Sequence, residues 1–132
     1  MSQENVDIVR SVYARWGEGD FRVGRELLAP NVTTVWAQEF PTAGTYHGPE
    51  GHAIAMREWL SAWTDLRLEA ERFVDAGQSV VVPFKVWARG RDSGAEVERR
   101  WAHVWTFEEG QVLRFEVHLD VEQALKAVGL AE

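Results

Sequence analysis

The chain has 132 residues, a net charge of −7 from 21 acidic and 14 basic side chains, and no cysteine. That length is one domain's worth, and 45% hydrophobic with 27% charged residues excludes disordered and fibrous classes. Without a thiol there is no disulfide scaffold, thiol catalysis, thiolate zinc site or iron–sulfur cluster, and the acidic balance argues against nucleic acid, whose phosphates need a basic face.

A chain of this size buries about two-thirds of its unfolded surface, enough for a core that needs no metal or disulfide staple. The first residues are polar and then amphipathic, without a basic region leading into an apolar run, so no signal peptide is expected. No apolar run approaches about 18 residues, so no membrane partner is expected either. The expected compartment is the cytoplasm. Asn31-Val32-Thr33 matches a glycosylation sequon and is read as chance. Seven tryptophans, six phenylalanines and two tyrosines are the outlier; such side chains fill cores but also wall apolar pockets.

The first predicted element is a helix, about Glu4 to Trp16, with Val6, Val9, Tyr13 and Trp16 on one stripe and Val12 beside it. Gly17-Glu18-Gly19 ends it. Asp20 then caps a shorter second helix through Leu27 and Leu28, which Pro30 stops. Val32 to Trp36 is β-branched and aromatic, hence a strand. A loop with Pro41, Gly44 and Tyr46 follows. Gly48-Pro49-Glu50 opens a third helix with Met56, Trp59, Leu60 and Trp63 as its apolar stripe.

From Thr64 the period changes to two, with Leu66, Leu68 and Ala70 alternating with Arg67, Glu69 and Glu71. Val80 to Ala88, Glu96 to Phe107 and Val112 to Leu119 are further strands, with turns at Asp92-Ser93-Gly94 and Glu108-Glu109-Gly110. A short helix from Val121 to Val128 closes the chain, with Asp120 and Gln123 as a capping box and Gly129 past its end. The order ααβαββββα predicts one α+β domain over residues 1–132: a strongly curved antiparallel sheet with the three earlier helices on its concave face, forming a cone-shaped barrel.

The Glu-Glu-Gly turn is read as a type I turn with a glycine bulge. Phe107 then pairs near Gln111 and His103 near Phe115. One face carries Trp101, His103, Trp105, Phe107, Leu113, Phe115, Val117 and Leu119; the other carries Ala102, Val104, Thr106, Arg114, Glu116 and His118. A two-residue turn would instead put His103 opposite Glu116.

Several segments resemble the SnoaL-like group of the nuclear transport factor 2-like superfamily, which includes ketosteroid isomerases, scytalone dehydratase and polyketide cyclases. They are Val6-Asp7-Ile8-Val9 through Trp16 with Gly19-Asp20, Tyr46-His47-Gly48-Pro49-Glu50-Gly51, Ala102 through Val112, and Leu119-Asp120 with Ala124-Leu125. The resemblance covers nearly the whole chain and implies the cone-shaped fold, whose activities are unrelated to one another. By the same resemblance His103 falls where ketosteroid isomerases carry the protonated Asp of their oxyanion hole. Their Asp base falls near Trp36, which cannot take a proton, and their Tyr near Val12, one residue from Tyr13. True ketosteroid isomerase activity is therefore not expected. SnoaL-type cyclases use an Asp base with a pocket His; the late-chain Asp120 is read first as a helix cap.

His103 is a polar group on an apolar, aromatic face. It is either a general acid or base or a core histidine satisfied by a hydrogen bond. Trp16, Trp36, Trp59, Trp63, Trp101 and Trp105 point inward; some border a cavity, since so many indole N–H groups are hard to satisfy in a solid core. Tyr13 and Phe115 join them as candidate lining, and His47 is placed at the pocket mouth. His47, His52 and Glu50 lack the spacing of a metal site, and neither metal nor cofactor is expected. Arg89, Arg91, Arg99 and Arg100, interleaved with Asp92, Glu96 and Glu98, read as a solvated hairpin.

The functional expectation is a pocket protein that takes an apolar or aromatic small molecule into the cone. His103-centred proton transfer of isomerase, cyclase or dehydratase type is one form of it. The alternative is a non-catalytic ligand-binding or structural dimeric module without turnover. A homodimer is expected through the outer sheet face, where Val81, Val104, Thr106 and Val112 lie among Arg114, Glu116 and His118.

Overall fold

The structure, a computed structural model, describes residues 2–130. Helix α1 (Ser2–Trp16) leads through a turn into a 3-10 turn (Arg25–Leu27) and then into β1 (Leu28–Trp36) and β2 (Gly44–His47). Helix α2 (Gly48–Ser61) follows, then strands β3 (Trp63–Ala70), β4 (Val74–Ala76), β5 (Ser79–Gly90), β6 (Glu96–Glu108) and β7 (Gln111–His118), and helix α3 (Val121–Ala127). No helix among the described residues is long and apolar enough to cross a membrane.

The sheet runs β2-β1-β7-β6-β5-β3, with β4 continuing the β3 edge along β5. It is mixed: β1 runs parallel to β7, and the other pairs are antiparallel. The long stretch between β1 and β7 supplies the crossover that a parallel pair needs. The sheet stays open, and its curve with α1 and α2 on the concave face is the α+β cone.

The predicted second helix is reduced to the 3-10 turn. Gly24 before it sits at φ 112°, a left-handed conformation that interrupts any α-helix across it. Asp20 instead accepts hydrogen bonds from the Arg22 N–H and from the Arg15 and Arg22 guanidiniums. Leu28 accordingly opens β1. Pro30 is tolerated there because β1 skips its pairing with β7 between Leu28 and Thr33.

The β6–β7 hairpin reaches the predicted facing by another route. Its turn has two residues, Glu109 at φ 51° and Gly110 at φ 80°, the positive pair of a type I′ turn, with Glu108 opposite Gln111. That turn alone would set His103 against Glu116. A bulge at Leu113 shifts the register by one residue, so His103 faces Val117 and Trp105 faces Phe115. Val112, placed on the outer face by the sequence reading, is therefore fully buried in the main core beside Phe107, and Leu113 is the partly exposed extra residue.

The concave core joins Val9, Val12, Tyr13 and Trp16 of α1 and Trp59 of α2 to Val80, Val82, Phe84, Trp101, Trp105 and Phe115 of the sheet. A second, smaller core lies on the convex face. There Ala124 of α3, flanked by Val121, Leu125 and Val128, packs on Val81, Ala102 and Val104. Helices thus cover both faces. The uncovered apolar centre that motivated the dimer is occupied by the chain's own last helix. Asp120 starts that helix by accepting the Gln123 N–H at 2.8 Å, and Leu130 N–H returns to the Leu125 carbonyl at 2.8 Å past Gly129, a Schellman-type stop. Beside α3, Arg114 and His118 both bind the Glu116 carboxylate, at 3.1 and 3.0 Å, so these charges are paired within the chain.

Candidate functional site

His103 stands in mid-β6 and points into the cone, 6% exposed. Its ring stacks on Phe84 with centroids 4.1 Å apart and meets Phe115 at 4.9 Å and Trp16 at 5.9 Å. Its Nδ1 lies 2.5 Å from the Tyr13 hydroxyl. The same hydroxyl oxygen accepts the Trp105 indole N–H at 2.9 Å.

This relay fixes proton positions. The indole can only donate, so it takes a lone pair of the Tyr13 oxygen. Burial raises the Tyr13 phenol well above its ordinary range, only partly offset by the Trp105 hydrogen bond, so the phenol keeps its proton. Among the described residues that proton has one acceptor, His103 Nδ1. Burial, followed by the nearby His118 and His52, holds the imidazole well below its ordinary range. His103 is thus neutral, with Nδ1 as acceptor and the hydrogen on Nε2. Tyr13→Phe would leave the Trp105 N–H buried without an acceptor. The expected cost is about 1–3 kcal/mol, measurable as a lower urea midpoint.

The space beside His103 is small. Trp16, Phe21, Trp36, Met56, Trp59, Leu68, Phe84, Trp101 and Val117 close around the imidazole, leaving about 10 Å³, room for about one water. The expected open cone is thus largely filled by the chain's own aromatic side chains. The Trp36 Nε1–H on this wall is buried without a partner. A larger cleft of about 300 Å³ opens alongside, lined chiefly by Trp16, Phe21, Leu28, His52, Met56, Leu60 and Trp105, with Arg25, Arg57 and Ser61 at polar positions. Trp16, Phe21 and Met56 border both spaces.

The structure gathers most of the sequence candidates here. Tyr13 and Trp105 form the relay. Trp36, Trp59 and Trp101 wall the inner void. Trp16 borders both spaces and spends its N–H on the Val23 carbonyl at 2.9 Å. Phe115 is fully buried against both His103 and His52. Two candidates fall elsewhere. Trp63 opens β3, edge-on to Trp59 at 6.4 Å, and borders neither space. His47 is exposed and borders neither space, because it ends edge strand β2 just before α2 turns inward.

The histidine that does enter is His52, one turn into α2 and 8% exposed. Its Nδ1 meets the Thr34 hydroxyl at 2.8 Å, and it borders the cleft. It is pushed down to about 4, by burial first and by the Arg25 guanidinium second. The sequence carried the signal: His52, Ala55, Met56, Trp59 and Leu60 fall at i, i+3, i+4, i+7 and i+8, the inward stripe of a helix.

The sequence model of the SnoaL-like domain matches residues 9–115. The chain belongs to the SnoaL-like family, within the nuclear transport factor 2-like superfamily. This SnoaL-like chain is similar to solved structures over nearly its whole length. One is an NTF2-like protein from Burkholderia thailandensis, 26% identical over 92% of this chain and 95% of that one, TM-score 0.79. Another is an NTF2-like protein of unknown function from Burkholderia pseudomallei, 24% identical over 95% and 97%, TM-score 0.77. A third is a putative SnoaL-like polyketide cyclase from Jannaschia, 19% identical over 98% and 94%, TM-score 0.77. No curated protein matches the sequence.

Proposed function

We propose that this SnoaL-like protein binds an apolar or aromatic small molecule through the cleft at the mouth of its cone and offers His103 to it as a neutral hydrogen-bond donor. The Trp105–Tyr13–His103 relay carries the reading. It ties down Nδ1 and leaves Nε2–H available toward the interior, where no hydrogen bond reaches it among the described residues. Such a donor suits a carbonyl or hydroxyl oxygen, and in a dry site it is worth more than in water. Of the three side chains shared by both spaces, Trp16 is held by its hydrogen bond to Val23, so entry from the cleft toward the imidazole requires Met56 and Phe21 to turn aside. Met is an adaptable gap-filler suited to that.

The lining favours binding over turnover. Among the described residues no Asp or Glu borders the cleft or the inner void, and both imidazoles there are held neutral chiefly by burial. Isomerase, cyclase or dehydratase chemistry needs a group that takes a proton near neutral pH, and His103 Nδ1 is already engaged by Tyr13. What His103 can supply is polarisation of a ligand oxygen.

Calorimetric titration with 1-naphthol tests the proposal, and saturable binding is expected. His103→Phe keeps an aromatic among aromatics, so cooperative melting should persist while affinity falls about tenfold, the value of one hydrogen bond. No saturable heat in the wild type would sink the reading. Loss of folding in His103→Phe would instead mark the imidazole as a structural core group.

A further inference from the structure

The cleft combines apolar walls with charge of one sign. Its ionised side chains are Arg25, from the 3-10 turn, and Arg57, from the outer side of α2. This is unexpected in a chain of net charge −7, and no acid among the described residues borders the same space. Neither guanidinium has a salt bridge among the described residues, whereas Arg15, Arg22, Arg89, Arg100 and Arg114 each do.

The neighbouring acids form no ion pair with them among the described residues. Glu26 spends both carboxylate oxygens on the Gly24 N–H, at 2.9 and 3.2 Å. Glu50 lies with Arg25 and Arg57 around a neighbouring, more open depression, and no ion pair joins them among the described residues. Other polar groups of the cleft are already engaged. Ser61 donates to the Glu58 carbonyl at 2.7 Å, and His52 Nδ1 meets Thr34. The Arg25 charge is felt inside, since it helps hold His52 neutral. An aromatic slot with two unspent guanidiniums at its rim is a recognisable chemical arrangement: the planar fork of Arg pairs with a carboxylate or similar oxyanion while the ring desolvates against the indoles.

We infer that the ligand of this site is an aromatic molecule bearing an anionic oxygen group, its ring between Trp16, Phe21, Leu28 and Trp105 and its charge held by Arg25 and Arg57. The inference rests on the pocket reading above and adds the charge of the ligand to it. Arg25 and Arg57 select for that charge, and the apolar wall supplies an affinity indifferent to it.

The test compares 1-naphthoate with its neutral amide, 1-naphthamide, by calorimetry at pH 8 and low salt, on the wild type and on the double variant Arg25→Gln/Arg57→Gln. Both arginines are exposed, so the double variant should melt like the wild type. The wild type is expected to prefer naphthoate about tenfold, the preference shrinking with added salt as exposed charges are screened. In the double variant the ratio should fall to about one. Equal wild-type affinities, or a preference that survives in the double variant, would overturn the inference while amide binding left the pocket reading standing. Binding of neither probe would overturn both.

Discussion

Lowering the pH from 7 to 4 is expected to cost this protein roughly 3 kcal/mol of folding stability through His52 alone, with a further loss in the same direction through His103. Both imidazoles are held below their ordinary values, His52 at about 4, chiefly by burial. An unfolded histidine takes its proton near pH 6.5. Below that the unfolded chain binds protons that the folded chain refuses, so stability falls as the pH drops. The His52 contribution is complete above about pH 6.5 and lost progressively down to about 4. Glu116 adds to the loss at the acid end. Burial alone would raise its carboxyl, but the His118 hydrogen bond and the Arg114 guanidinium outweigh that and hold it below the usual range, so its contribution goes as the pH falls through carboxylate values. Urea unfolding at pH 7.0, 5.5 and 4.5 measures the slope. His52→Gln should remove the His52 share of it, and a stability unchanged between pH 7.0 and 4.5 would contradict the buried, neutral state of both rings.

That two imidazoles face the interior was half legible in the sequence. His103 was found because strand parity is robust: Trp101, His103, Trp105 and Phe107 share a face whatever the turn does. The turn itself was not legible. A glycine at position 110 permits both a bulged and a two-residue connection, and the bulge that restores the facing lies at Leu113, where nothing in the residue types announces it. His52 sits on a clean helical stripe, but His47 and Glu50, its neighbours in sequence, belong to the exposed start of the helix, so nearness in the chain does not tell which of the three turns inward. The cap at Asp120 followed from residue chemistry alone.

Element order could not tell which face α3 would cover. Its apolar positions, Val121, Ala124, Leu125 and Val128, suit either side of a sheet, and the dimer expectation rested on assigning every helix to one. Nor does a count of tryptophans give a volume. Indoles that wall a pocket and indoles that meet across it have the same sequence, and here Trp36, Trp59 and Trp101 close in until about 10 Å³ remains. The Trp36 indole N–H, buried on this wall without a partner, is the trace of that crowding.

The Phe115 side chain should be costly to lose. It is fully buried on β7, with Trp105 at 4.7 Å, His103 at 4.9 Å and His52 at 5.3 Å between ring centroids. Its ring thus packs against both imidazoles and against the Trp105 indole that starts the relay. Phe115→Ala removes the transfer energy of a buried ring and leaves a cavity that these neighbours, fixed on β6 and α2 and by hydrogen bonds, cannot collapse to fill. The expected destabilisation at pH 7 is about 3–5 kcal/mol, seen as a lower urea midpoint at unchanged slope. A second consequence separates this ring from an ordinary core residue. The void adjoins both His103 and His52, so water that enters it solvates their charged forms and lets both pKa values rise toward the ordinary value. The loss of stability between pH 6.5 and 4 should therefore be shallower in Phe115→Ala than in the wild type. A variant that loses stability at pH 7 yet keeps the full acid slope would show that Phe115 does not keep water from the two imidazoles.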